Sequence, residues 1–397
     1  MERILTTELA AHVGEDVLLR GWLHRQRRLS RVSFLILRDR AGLAQIVIDR
    51  PVDVAAEAVL EVRGRVVVNE QATSGVEVHG AELTVIVAPA EAPPIELHRP
   101  ELKESLPVRL DHAAAALRHP VVRERFRIAA KAVAAFRATL GELGFTEIQT
   151  PKIVATATEG GANVFALDYF GRDAYLAQSP QFYKQTMVGV FERVFETGPV
   201  FRAEPHDTGR HLAEYVSLDA ELGFIADHRD VMAVVEQCVF AMLASVGVEA
   251  PESIPIVHFA DVRSGEELDL APEDERRICE EHGELVFVEG FPTAKRPFYT
   301  HPGPDPAWSN SFDLIYRGLE IVTGGQRLHR HRDYLAALAA RGIDPTPFSG
   351  YLDAFRWGMP PHGGFALGLE RFTAQVTGAG NVRETTLFPR DRTRLSP

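Results

Sequence analysis

Residues 201–204 read Phe-Arg-Ala-Glu, and residues 214–221 come back as Glu-Tyr-Val-Ser-Leu-Asp-Ala-Glu. As an extended strand, the first stretch puts Val200, Arg202 and Glu204 on one side and Phe201 and Ala203 on the other. The second sets Val216, Leu218, Ala220, Leu222 and Phe224 against Ser217, Asp219, Glu221 and Gly223, and Asp207-Thr208-Gly209 between the two is a turn signal. The pattern predicts an antiparallel hairpin with one face in a core and the other charged. Such a face is ordinarily solvated and laced with cross-strand ion pairs. Arginines and carboxylates aimed the same way also suit phosphate, metal or ammonium groups.

Other stretches add candidates of the same chemistry. There is no GxxxxGKS/T loop and no GxGxxG after a strand, so a nucleotide would have to be held by guanidinium forks and imidazole: Arg202, Arg210, His211 and Arg371. Glu204, Asp219, Glu221 and Glu320 offer hard oxygens for Mg²⁺ or an ammonium group. Tyr215 shares strand parity with Asp219, which puts its ring on the charged face. Glu320 precedes Thr323-Gly324-Gly325-Gln326-Arg327, where the glycines either admit a substrate close to the backbone or mark a bulge or tight turn. In 363–372, GGFALGLERF, a glycine-rich strand runs into a helix start at Glu370-Arg371 that can face an anion. TEGGANVF (158–165) reads as a loop with Glu159 at its root, and in QSPQFYKQ (178–185) Gln181 and Lys184 share one helix face, where a solvated pair is the common outcome.

The elements that must position these residues fall into two groups. From 17 to 88, apolar runs (VLLRGWL, VSFLILRD, LAQIVID, AVLEVRGRVVV, GVEVHG, ELTVIVA) alternate with turns, predicting a small barrel of five or six strands over 1–88. A proline- and charge-rich linker spans 89–120. From 121 to 397, a helix of about 20 residues through Val122, Phe126, Ala129, Val133, Phe136 and Leu140 precedes a strand at FTEIQTP (145–151), an amphipathic helix at 180–194, the hairpin, strands in 312–322 and 365–369 and a helix at 370–377. That is an α+β domain on a mostly antiparallel sheet, not a doubly wound one. The net charge of −12 argues against a generally basic coat, although RQRRLSR (25–31) is locally basic. Two cysteines in no metal spacing and the lack of a long uncharged apolar stretch predict a cytoplasmic protein without a membrane span.

Taken together, FTEIQTPKI, TEGGANVF, YFGRDAYLAQSPQFYKQ, FRAE with RHLAEY and LDAE, GLEIVTGGQRLH and GMPPHGGFALGLERF resemble, in order, the class II aminoacyl-tRNA synthetases, specifically the aspartyl branch of archaeal type. The resemblance covers nearly the whole chain; the stretch 252–287 is short for that type. It implies ATP and L-aspartate as substrates, Mg²⁺ as cofactor, tRNA as acceptor and a homodimer formed through FTEIQTP. By the same resemblance Arg202 meets the α-phosphate, Glu204 the adenine side, Arg210 and His211 the outer phosphates, and Tyr215 and Arg371 sandwich adenine; Arg202, Arg371 and Glu320 carry catalysis. Glu320 and Thr323 hold Mg²⁺, with Thr323 where most relatives have serine and also facing aspartate. Glu159, Gln181 and Asp219 meet the amino acid's ammonium group, and Lys184 and Arg327 its side-chain carboxylate. The barrel resembles the five-stranded anticodon-binding OB-fold of the same family, which implies that Phe34 stacks on an anticodon base and Gln45 and Glu77 read its edge; His24, standing where strictly tRNA(Asp)-specific relatives carry tryptophan, implies that tRNA(Asn) is charged as well as tRNA(Asp). Competing readings are a paralogue that passes the adenylate to a non-tRNA acceptor or makes asparagine, a non-catalytic RNA-binding module, and the asparaginyl branch, which Lys184 disfavours because an ammonium suits a carboxylate better than an amide.

Overall fold

The six apolar runs of the N-terminal stretch become five strands: β1 (Asp16–Arg28), β2 (Ser33–Arg38), β3 (Leu43–Ile48), β4 (Val59–Val68) and β5 (Val76–Val87). GVEVHG and ELTVIVA are one strand that bends at Gly80, whose φ of 59° glycine tolerates without strain, beside an irregularity in the pairing with β4. The strands close into a barrel of order β1-β2-β3-β5-β4 around Leu19, Leu35, Leu37, Ile46, Leu60 and Val78. The proline-rich stretch that follows carries two short helices, α1 (Leu106–Asp111) and α2 (Ala113–Ala116), and a small cluster of Ile95, Leu97 and Ala116. This description comes from a computed structural model that describes residues 1–396 except 73, 157–162, 206–207 and 266. Two compact units make up the chain, 1–122 and 123–397.

The second unit begins within α3 (Pro120–Glu142), which ends ahead of Gly144 at φ 79°. Its main sheet has eight strands in the order β12-β13-β14-β15-β16-β11-β10-β6. In chain order these are β6 (Thr146–Glu147), β10 (Arg193–Phe201), β11 (Glu214–Gly223), β12 (Ile256–His258), β13 (Leu285–Glu289), β14 (Ser311–Tyr316), β15 (Leu319–Gln326) and β16 (His362–Gly368). Only the two edge pairings, β12 with β13 and β6 with β10, are parallel. A second sheet joins β7 (Ile153–Val154), β8 (Ala166–Asp168) and β9 (Asp173–Leu176) in the order β7-β9-β8.

One face of the main sheet is fully covered. Phe136 and Leu140 of α3 and Val231, Val235 and Val239 of α5 (His228–Ser245) pack on Leu218, Ala220, Leu314, Val322 and Leu367. The other face is covered in two places. Near β13, α6 (Phe259–Val262) and α7 (Pro272–His282) lie over Val286, Val288 and Ile315; elsewhere α4 (Gln181–Phe191), α8 (His331–Ala340) and α9 (Ser349–Arg356) enclose Phe182, Tyr334, Tyr351 and Phe355. The remaining part of that face carries polar side chains. α10 (Leu369–Thr377) follows β16 directly.

Three boundaries differ from the sequence expectation. The helix expected over 180–194 stops at Phe191, because Glu192 turns to φ 68° and Arg193 and Val194 pair with Leu222 and Glu221 as the start of β10. FTEIQTP contributes only Thr146 and Glu147 to the sheet. β10 ends at Phe201, so Arg202 and Glu204 lie just beyond the strand, although the Arg202 N–H still donates to the Ala213 carbonyl at 2.9 Å.

Candidate active site

The register of four neighbouring strands lines up the site. Asp219 on β11 is opposite Ala366 on β16, Ala366 opposite Thr323 on β15, and Thr323 opposite Asp313 on β14. Residues directly opposite share a face, so this row projects from the face not covered by α3 and α5. The hairpin is antiparallel as expected, but its charged face is buried: Asp219 is 1% and Glu221 0% exposed. Alternation reveals which side is polar, not what covers it.

Cations balance those carboxylates. Lys184, itself 1% exposed on α4, donates from Nζ to Asp219 Oδ1 at 2.9 Å and to the Phe365 carbonyl at 3.0 Å, and stands 3.4 Å from Glu221 Oε2. Arg327 donates from Nε to Glu221 Oε1 at 3.0 Å and from Nη2 to the Gly364 carbonyl at 2.9 Å. Burial alone would raise the Glu221 pKa, but Arg327 and Lys184 outweigh it and hold it below the ordinary carboxylate value. Gly364 makes room for this arrangement, since a Cβ there would collide with the Glu221 carboxylate and the Ala220 carbonyl. Gly324 likewise makes room for the Phe312 ring, which a Cβ there would meet, and it also lines a cavity shared with Lys184 and Arg327. The Gln181–Lys184 pair expected to be solvated is buried, and Gln181 donates to Gln185 Oε1 at 2.9 Å.

Lys184, Gln181, Asp219 and Arg327 line a cavity of about 540 Å³ together with Arg202, Tyr215, Arg296, Asp313, Glu320 and Thr323. Among the described residues six of its lining side chains are cationic (Lys184, Arg202, Lys295, Arg296, Arg327, Arg341) and four acidic (Asp219, Asp269, Asp313, Glu320), a balance that favours anionic ligands. An adjoining pocket of about 150 Å³ shares Arg202, Tyr215, Ser217, Glu320, Thr323 and Ala366 with it and adds Glu204, Arg210, His211, Glu370 and Arg371. The Arg202 guanidinium lies 5.8 Å over the Tyr215 ring, and Arg371 Nη1 donates to the Glu320 carbonyl at 3.0 Å and to Oε2 at 3.2 Å. Glu370 is buried beneath, its two oxygens each accepting the Val216 N–H at 3.1 Å; burial pushes its pKa up to about 7. Arg210 pairs with Glu275 of α7, which also accepts the Glu320 N–H at 3.2 Å. Every described residue expected at an ATP and amino-acid site therefore lines one of these two connected spaces; Glu159 lies outside the described residues.

Glu320 and Thr323 are three apart and would face opposite sides of a regular strand. The pairing shifts between Leu314 and Ile315, leaving Ile321 as an extra residue and turning both side chains to the site. Asp313, which sequence reasoning passed over, joins them. Its pKa is pushed up to about 7 by burial, with Arg296 opposing and Glu320 adding to the shift. Among the described residues no cluster of three or more His, Cys, Asp or Glu side chains forms a metal site. Two carboxylates and a hydroxyl nevertheless fit Mg²⁺, which keeps waters and takes substrate phosphates for its other ligands. The alternation of Phe312, Leu314 and Tyr316 against Asp313 was the signal that could have found this residue.

In the barrel, Phe34 on β2 is opposite Arg27 and Val47, and Gln45 on β3 donates to Glu77 Oε2 on β5 at 2.6 Å. These side chains share the outer face of adjacent strands. His24 is the extra residue at a shift in the β1–β2 pairing and is 9% exposed. Its Nδ1 accepts from Arg38 at 3.3 Å, and Arg38 is clamped by both oxygens of Glu57 at 2.8 and 2.7 Å. Burial, helped by Arg38, lowers the His24 pKa to about 4.

A mostly antiparallel sheet with a two-part polar cavity and no P-loop matches a known architecture. The profile of the tRNA synthetases class II (D, K and N) covers residues 105–392, and the chain belongs to this family. Among curated relatives, the aspartate–tRNA(Asp/Asn) ligases of Thermus thermophilus, Deinococcus radiodurans and Archaeoglobus fulgidus are 44%, 43% and 40% identical, each alignment covering all of this chain and at least 99% of the relative. The asparaginyl-tRNA synthetase of Pyrococcus horikoshii, solved with asparaginyl-adenylate, superposes with a TM-score of 0.92 at 30% identity, covering both chains completely. A putative aspartyl-tRNA synthetase from Leishmania major Friedlin gives 0.87 at 28% identity, covering 100% of this chain and 95% of the other.

Proposed function

We propose that this protein ligates L-aspartate to tRNA through an aspartyl-adenylate and uses both tRNA(Asp) and tRNA(Asn) as acceptors. The observation that carries the choice of amino acid is the meeting of Lys184 and Arg327 on buried carboxylates at the cavity floor. A ligand carboxylate placed beside them accepts from both cations through two oxygens, whereas the amide of asparagine has one acceptor oxygen and an NH₂ that neither the Lys184 ammonium nor the Arg327 guanidinium can accept from. The names of the full-length relatives support the same choice and the dual acceptor range.

In this reading ATP lies bent in the smaller pocket, adenine between Tyr215 and Arg371, Glu204 at its edge, and Arg210 and His211 on the outer phosphates. The aspartate ammonium group faces Asp219, Gln181 and Glu159. Its α-carboxylate attacks the α-phosphorus in line, pyrophosphate leaves, and the tRNA 3′-terminal hydroxyl then takes the aspartyl group. No protein nucleophile is needed; catalysis is positioning together with charge neutralisation by Arg202 and Arg371. Mg²⁺ would be held by Glu320 and Thr323, with Asp313, and would neutralise charge on the polyphosphate. Phe34, Gln45 and Glu77 would read the anticodon, and His24 would relax the reading of its third base. The enzyme would work as a homodimer in the cytoplasm; among the described residues no helix is long and apolar enough to cross a membrane.

Amino-acid-dependent exchange of pyrophosphate into ATP tests the substrate assignment. Aspartate should support exchange and asparagine should not. Exchange with asparagine alone would move the protein to the asparaginyl branch, and exchange without charging of any tRNA would favour a paralogue with another acceptor.

A further inference from the structure

Arg296 belongs to none of the strands that build the site, yet it makes the closest cationic contact to the proposed metal ligands. Nη2 donates to Asp313 Oδ1 at 2.9 Å and Nη1 to Thr323 Oγ1 at 3.3 Å. Those two residues are directly opposite on β14 and β15, so one guanidinium spans both. The side chain is placed for this from the loop 291–300: it lies 3.9 Å over the Phe291 ring, and Arg341 pins the loop by donating to the Arg296 carbonyl at 2.8 Å and the Thr293 carbonyl at 3.4 Å.

A guanidinium and a divalent cation need the same lone pairs. Metal ligation at about 2.0–2.1 Å requires oxygens that point at the ion, and Asp313 Oδ1 and Thr323 Oγ1 point instead at Arg296. A second positive charge arriving between them repels the first. Displaced, Arg296 would still lie in the cavity it shares with Arg202 and Glu320, where a polyphosphate offers new acceptors. Its buried Nε donates to nothing among the described residues, which leaves one donor uncommitted.

We propose that Arg296 is a tethered stand-in for the metal: it occupies Asp313 and Thr323 in the nucleotide-free enzyme, and Mg²⁺ entering with ATP turns it off them toward the phosphates. This rests on the reading of Asp313, Glu320 and Thr323 as magnesium ligands. Its consequence is an order of binding, because the free enzyme resists loading with metal alone and accepts it once nucleotide supplies Arg296 with another partner.

The test is Mn²⁺ binding to the full chain, followed without nucleotide by the loss of the free-ion electron paramagnetic resonance signal, and with a non-hydrolysable ATP analogue by the loss beyond that of the analogue alone at the same concentration. Without nucleotide, Arg296→Ala is expected to bind Mn²⁺ at least about tenfold more tightly than the parent, the factor by which a site occupied nine-tenths of the time by a competitor is weakened. Arg296→Lys should fall between the two, and the gap should narrow when the analogue is present. Should Arg296→Ala fail to fold, Arg296→Gln removes the charge while keeping an amide donor, and the same gain is expected. Equal Mn²⁺ binding by parent and variant without nucleotide would overturn the proposal and reduce Arg296 to a brace for its loop. If the parent takes up no Mn²⁺ even with the analogue, and Glu320→Gln changes nothing, the metal-ligand reading itself falls, and the proposal with it.

Discussion

At the floor of the cavity, Lys184 contacts Asp219 and Glu221 and Arg327 contacts Glu221 directly, all four side chains almost wholly buried, and each charge is tolerable only because the others are present. Lys184→Met should therefore cost on the order of 3–5 kcal/mol of folding stability by leaving buried carboxylates uncompensated; an unchanged urea midpoint would contradict the pairing. Arg202 differs, because it stands just past the end of β10 and lines both pockets. Arg202→Ala should keep the parental urea midpoint and lose on the order of 3 kcal/mol of transition-state stabilisation in pyrophosphate exchange, and near-parental exchange would remove it from the chemistry. The side these residues face was legible from alternation: Tyr215, Asp219 and Glu221 lie on the face that parity assigned, and Arg202, just past the end of β10, lines the same cavity. Their burial was not legible, because the residues that cover them, Lys184 and Arg327 among them, come from remote stretches. Arg296 was missed for the same reason. It sits in a loop without periodicity, and only the fold brings it to Asp313.

At the scale of elements, β16 is the strand whose glycines matter most, and two of them should behave oppositely. Gly364→Ala drives a methyl group into the Glu221 carboxylate and should yield little soluble protein. At Gly368 an added Cβ meets nothing nearer than the Arg371 side chain at 3.8 Å, so Gly368→Ala should fold within about 1 kcal/mol of the parent. Soluble expression and urea melts of the pair decide this. β16 also carries His362, whose Nδ1 faces the Pro360 carbonyl at 2.9 Å and whose Nε2 faces the Gln185 amide at 2.9 Å. Burial lowers its pKa to about 4, so the folded state keeps it neutral where the unfolded chain protonates it. The stability it contributes is present above about pH 6.5 and is lost as the pH falls toward 4. His362→Gln should flatten that part of the stability-versus-pH curve, and a curve as steep as the parent's would show that other groups set it. The sheet itself was largely readable: the β10–β11 hairpin, strand in 312–322 and the step from β16 into α10; that 312–322 is two strands, β14 and β15, paired across a two-residue turn at Arg317 (φ 50°) and Gly318 (φ 77°), is what the fold added. The extra residue at Ile321 was not readable either, since it comes from pairing with β14 and leaves no trace in the composition of β15.

On the scale of the whole molecule, the chain has a barrel unit and a sheet unit, and the proposed function gives anticodon reading to the first and the ATP and amino-acid site to the second. The relatives at 44% and 43% identity are aspartate–tRNA(Asp/Asn) ligases, while a full-length structural match at 30% is an asparaginyl enzyme, so shared architecture does not separate the two amino acids and the cavity floor must. His24 is the barrel residue expected to set acceptor range, from its bulged, nearly enclosed position against Arg38. His24→Trp should lower the charging of tRNA(Asn) relative to tRNA(Asp) while leaving pyrophosphate exchange at the parental rate; an unchanged ratio would take His24 out of the discrimination. The most direct single measurement is aminoacylation with radiolabelled aspartate of separate tRNA(Asp) and tRNA(Asn) transcripts. Charging of both is expected, and tRNA(Asn) charged at no more than background, or neither transcript charged, would contradict the proposed function.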